Sequence, residues 1–171
     1  MPKSYLIFKW VVYSLATMLL VLLQLFVLNY IHVGGIAPFL PPMLVGAAAS
    51  YEGSRASPVY ALVFGLLCDL ALTGAGVPAG FFTFVFTLAA LLSSLLAENL
   101  FSPGFLCSLM SVTVCYLMTA LGRCAVYLHR GTASPAAVLL MAAKEYLVTL
   151  PCLIVVFLLF RQVHRRTTVD Y

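Results

Sequence analysis

Charge is what this sequence lacks. Lysine, arginine, aspartate and glutamate make up 8% of its 171 residues, against 64% hydrophobic ones, and the mean hydropathy is +1.11. Soluble domains carry about 25% charged and about 45–50% apolar residues, so this chain cannot clothe a globule in water-compatible surface. The same figures exclude intrinsic disorder, which needs low hydrophobicity and high charge. Enzyme signatures are missing too. The chain has no HExxH pair for zinc, no G-x-S-x-G nucleophile turn, no P-loop and no Rossmann glycine fingerprint. His32, His129 and His164 lie far apart at the ends of apolar runs and read as headgroup-level residues rather than metal ligands. Ser93, Ser94 and Asn99 have no base near them in sequence. The five cysteines (Cys68, Cys107, Cys115, Cys124, Cys152) form no C-x-x-C pair and sit inside apolar stretches. They read as small packing residues, not as a disulfide framework. No catalytic residue, cofactor, metal or nucleic acid is expected.

What is present is one long apolar run after another. The first, roughly residues 10–28, follows Lys3 and Lys9. It exceeds the about 7–15 residues of a signal-peptide core and lacks a small-residue cleavage site, so it reads as a retained membrane helix. The second, roughly 36–50, contains Pro38, Pro41 and Pro42. Proline removes a backbone donor and clashes with the preceding turn. In lipid such a break survives only where neighbouring protein satisfies the freed groups. An irregular lead-in and a short helix rich in small residues are expected there. Four further runs follow at about 58–73, 78–97, 103–128 and 135–160, several starting at a proline, which suits a first helical turn. Gly74, Ala75, Gly76 and Val77 form a tight turn between the third and fourth. The expected fold is an all-α integral membrane protein. It is a single domain over residues 1–171, a bundle of about six transmembrane helices whose second segment is short and Pro-broken, with a basic tail at 161–171.

Orientation follows the lysines and arginines of short loops. Lys3, Lys9, Arg55, Arg161, Arg165 and Arg166 fall on one side of a six-span layout, Arg130 and the helix-end Arg123 on the other. Both termini are therefore expected in the cytoplasm. The basic tail reads as a topological anchor, with contact to anionic lipid heads as the alternative.

Ionisable groups inside a membrane cost several kcal/mol and are usually paired or functional. Asp69 is the clearest case. Ala61, Gly65 and Asp69 recur every four residues and share a helix face, where two small residues permit close approach of another helix. The carboxylate is read as fixing helix register, against a proton or substrate site and a lone snorkelling acid. Asp69 and Arg123 both lie roughly 6–8 Å below the outer interface at about 1.5 Å per residue, which makes Arg123 the first candidate partner. Lys144, about 13 Å deep, is the second, and then Glu145 needs another donor.

The stretch from Ala61 to Gly80, with Gly65, Asp69 and Leu70 in a G-x-x-x-D-L pattern and a glycine turn at Gly76, resembles the rod shape-determining protein MreD family. Size, six spans, the Pro-containing second segment and a last helix with Pro151 before a basic tail are similar too. Lys144-Glu145 and Val77-Pro78 depart from the pattern. The resemblance implies a non-enzymatic component of the bacterial elongation machinery in the inner membrane, supporting cell shape and peptidoglycan synthesis. Its implied partners are an MreC-like bitopic protein, an MreB-like actin homologue and a RodA–transpeptidase synthase. The rival is a substrate-binding component of an energy-coupling-factor vitamin transporter, a family with an Ala-x-x-x-Ala face on its first helix. Here that helix offers only Ala16.

Overall fold

The computed structural model describes residues 3–32, 34–71, 77–100, 104–131 and 134–167. Six α-helices follow in order: α1 (Lys3–Phe26), α2 (Pro41–Ala71), α3 (Phe81–Leu100), α4 (Phe105–Arg130), α5 (Pro135–Thr149) and α6 (Cys152–Thr167), with one 3-10 turn at Leu28–Tyr30. Among the described residues the regular elements are thus all helical.

The spans divide partly as expected. The runs at 36–50 and 58–73 fall in two helical segments that meet at Gly53, whose backbone is not helical (φ 69°, ψ 177°); together they are labelled α2. The run at 135–160 is two helices, α5 and α6, at 60° to each other with Pro151 between them. Among the described residues, three helices are long and apolar enough to cross a membrane: Ile7–Tyr30, Phe81–Asn99 and Phe105–Arg130. The bent α5–α6 pair makes a fourth if it is one span. This is consistent with a helical membrane protein.

Pro41 and Pro42 open α2 after an irregular lead-in, as expected, and a further break falls at Gly53. Pro58 lies inside α2, Pro78 precedes α3 and accepts from Phe81 N–H, and Pro135 alone of these opens its helix.

Residues 41–50 are all buried, so the first half of α2 is the centre of the molecule. Its sequence is apolar or small all round, which is how a fully enclosed helix reads. A Cβ on Gly46 would lie 2.6 Å from the Val112 Cα, so only glycine lets α2 cross α4 this closely. Phe64, Phe82 and Phe86 interleave between α2 and α3, and Tyr13 meets Phe160 edge-on between α1 and α6.

The polarity is inverted relative to a water-soluble domain. Ile7, Leu15 and Met18 on α1, Leu66 and Leu70 on α2, Phe84 on α3, Leu106 and Leu117 on α4, and Ile154 and Val155 on α6 are exposed. Thr17, Ser50, Ser57, Ser93, Ser108, Ser111 and Thr149 are buried. Water does not tolerate so much contiguous apolar surface, whereas lipid does.

Candidate functional site

The interior holds a set of polar links, each joining two helices. The lead-in before α2 is the most densely tied. Residues 37–40 lie outside regular structure, so apart from the Leu40 carbonyl, which accepts from Met43 and Leu44 N–H, their backbone groups need partners from elsewhere. Gln24 of α1 donates to the Pro38 carbonyl at 2.8 Å and accepts from Leu40 N–H at 3.0 Å. Thr149, the last residue of α5, accepts from Phe39 N–H at 3.0 Å, and the Tyr116 hydroxyl of α4 donates to the Phe39 carbonyl. The irregular lead-in therefore survives for the expected reason, and its supports come from three different helices. It also meets the α5–α6 bend, so the two interrupted segments of the chain touch.

Asp69 stands at the last turn of α2 and caps α3. Phe82 N–H and Thr83 N–H donate to its two carboxylate oxygens at 3.0 and 2.9 Å, and the Thr83 hydroxyl donates at 2.6 Å. A helix start leaves backbone N–H groups without partners and carries partial positive charge, so a carboxylate there is doubly favoured. The expected pairing of Asp69 with Arg123 or Lys144 is therefore replaced by a helix terminus. Sequence spacing pointed to side-chain cations because they are visible in a sequence, whereas the free amides of α3 become visible only once the α2–α3 hairpin closes. Gly65 and Ala61 do permit close helix approach: Ala61 is fully buried, and a Cβ on Gly65 would lie 2.6 Å from the Thr83 Cα. The approaching helix is α3 of the same chain, so this face is used up internally. Gly76 lies outside the described residues.

A second carboxylate mirrors the first. Glu98, near the end of α3, accepts from Ser54 N–H at 2.7 Å, where α2 resumes after the Gly53 bend. Each of the paired helical segments thus receives a cap from the other. Sequence reasoning missed Glu98, although a glycine-serine pair beside an expected helix start was a usable sign of a free terminus.

Arg123 of α4 pairs with Glu145 of α5 at 2.8 Å, both side chains being largely buried, and its guanidinium lies 4.8 Å from the centre of the Phe39 ring. Arg123 is thus the donor that Glu145 needed. Lys144, expected as a partner for Asp69, is exposed on α5 and reaches neither carboxylate.

Beside the Gly53 bend of α2, Glu52 is enclosed by Lys9 of α1 at 2.5 Å and His164 of α6 at 3.4 Å. Burial raises the pKa of this carboxyl, but the hydrogen bonds of His164 and Lys9 outweigh it and hold the group below its ordinary 4.5. Glu52 was another residue the sequence did not single out, since its partners are 43 and 112 positions away.

Chemically, these links bind helices to one another. Ser93 of α3, for example, donates to the Ser111 carbonyl of α4. Among the described residues, no three His, Cys, Asp or Glu side chains converge as metal ligands. The cysteines are all free, four of them buried. Comparison with family models, curated proteins and solved structures gives no match.

Proposed function

We propose that this chain is a non-enzymatic scaffold of the bacterial inner membrane, a multi-pass protein of the MreD kind with both termini in the cytoplasm. In this reading it supports rod shape and lateral peptidoglycan synthesis by binding an MreC-like bitopic protein, an MreB-like filament and a RodA–transpeptidase synthase. The observation that carries the scaffold part is the use of the half-buried carboxylates. Asp69 caps α3 and Glu145 pairs with Arg123, so each is spent on holding helices rather than aimed into a ligand space. The enclosure of Glu52 between the start of α1 and the end of α6 supports placing both ends on one side. The elongation part rests on the G-x-x-x-D-L resemblance at Gly65, Asp69 and Leu70.

The transporter reading has one specific observation in its favour. Transporters build substrate sites where two interrupted membrane segments meet, and the lead-in at 37–40 meets the α5–α6 bend here. The Pro38, Phe39 and Leu40 groups at that junction are bonded to Gln24, Thr149 and Tyr116 instead of facing an open space.

A depletion strain, imaged with a wall-labelling dye and assayed for vitamin uptake, separates the two. Rounded cells with normal uptake and continuing septal synthesis are expected. Normal rods that fail to take up one solute would reject the scaffold. Complementation by Gly65→Leu should fail through loss of the folded protein, because a leucine there would collide with the α3 backbone.

A further inference from the structure

α5 is the least covered helix of the fold, and it packs chiefly on α4. Leu140, Met141 and Leu147 are 59%, 56% and 66% exposed. Together with Lys144 they occupy positions i−4, i−3, i and i+3, one continuous stripe down the helix. Lys144 has no hydrogen bond or ion pair among the described residues.

The depth of Lys144 follows from its neighbours. Glu145 is held by Arg123, and Tyr146 shares a 2.8 Å hydroxyl hydrogen bond with Thr113. Those α4 positions lie about 27 and about 12 Å from its first residue, on a helix about 39 Å long at about 1.5 Å per residue. Lys144 is therefore level with the middle third of a membrane-length helix, and it faces outward. An ammonium in that place is costly unless a partner neutralises it.

We propose that the Leu140/Met141/Lys144/Leu147 stripe docks a transmembrane helix of another protein, one that carries a carboxylate near its midpoint. A second copy of this chain cannot supply that group. Glu52, Asp69, Glu98 and Glu145 are all engaged within the fold. The fifth acid, Asp170, belongs by sequence to the polar C-terminal end. A lipid phosphate fits less well, because the four-carbon lysine stem covers only about half the distance to the nearer end of α4. The apolar residues of the stripe supply van der Waals contact and the ion pair supplies register and partner choice. This inference stands whether or not the partner belongs to the elongation machinery.

The test uses the full-length protein in phosphatidylcholine liposomes with synthetic single-span Leu/Ala helices carrying Glu, Gln or Leu at the centre. Association is read by energy transfer between dyes. The Glu helix should bind wild-type protein about tenfold more tightly than the Leu helix. Lys144→Met should abolish the difference, and Lys144→Glu should transfer the preference to a Lys-centred helix. Lys144 is exposed, so neither variant disturbs packing, and Arg123–Glu145 stays intact as an internal control. Equal binding of the Glu and Leu helices, or failure of the charge swap, would overturn the proposal. Retention of phosphatidylglycerol that depends on Lys144 without helix discrimination would overturn it in favour of a lipid site. Self-association that depends on Lys144 would overturn it in favour of a dimer.

Discussion

Asp69 offers the sharpest separation of roles at the level of one residue. Asparagine keeps an acceptor oxygen for the start of α3, so Asp69→Asn should cost about 1 kcal/mol, the usual scale of a helix cap. Asp69→Leu leaves Phe82 N–H, Thr83 N–H and the Thr83 hydroxyl without their acceptor. Unsatisfied groups in an apolar setting cost about 1–3 kcal/mol each, so this variant should fall below detectable folded protein. Size-exclusion recovery and thermal unfolding in detergent check both, and a Leu variant as stable as the Asn variant would refute the capping role. Glu52 predicts a pH dependence of defined sign. Its folded pKa is depressed, so its stabilisation is complete above the ordinary 4.5 and is lost as pH falls through the depressed value. The difference in melting temperature between wild type and Glu52→Gln should be present above pH 4.5 and shrink as the pH falls below it.

At the scale of elements, the bend of α2 and the caps around it form one device. Gly53 takes φ 69° and ψ 177°, a conformation essentially confined to glycine. A Cβ there would also sit 2.9 Å from Glu98 Oε1. Gly53→Ala should therefore destabilise by about 1–3 kcal/mol from backbone strain. Glu98→Gln retains an acceptor for Ser54 N–H and should cost under about 1 kcal/mol. Combining the two should not rescue the alanine, because the strain belongs to the backbone. Rescue in a thermal-unfolding series would place the cost in the side-chain collision instead. The expected runs at 36–50 and 58–73 lie on either side of this bend. Hydropathy marks where those runs lie, whereas the direct turn between them rests on Gly53 and on Glu98 arriving from α3 to accept from Ser54 N–H.

At the scale of the whole molecule, the links converge on two poles. One gathers Gln24, Phe39, Asp69, the start of α3, Arg123 and Glu145. The other gathers Lys9, Glu52 and His164. A chain whose first and last helices both contact Glu52 should present both termini to the same compartment. Reporter fusions at Met1 and Tyr171 that are active on opposite sides would reject this arrangement.

Composition by itself determined the helical, lipid-compatible class. A chain with this little charge can satisfy its backbone in an apolar medium only within helices or closed barrels, and its runs lack the period-two alternation of strands. The small-residue face at Ala61 and Gly65 was legible as well, because an every-fourth spacing is a property of one helix. Pairing was not. Which donor meets Asp69, which cation meets Glu145 and which residue remains exposed all depend on how separate helices are rotated and staggered. Arg123 and Glu145 are 22 positions apart, and Phe39 and Thr149 are 110 apart. Only the folded bundle decides those rotations, through the steric fit of glycines such as Gly46 and Gly65 and the partners that most buried polar groups require.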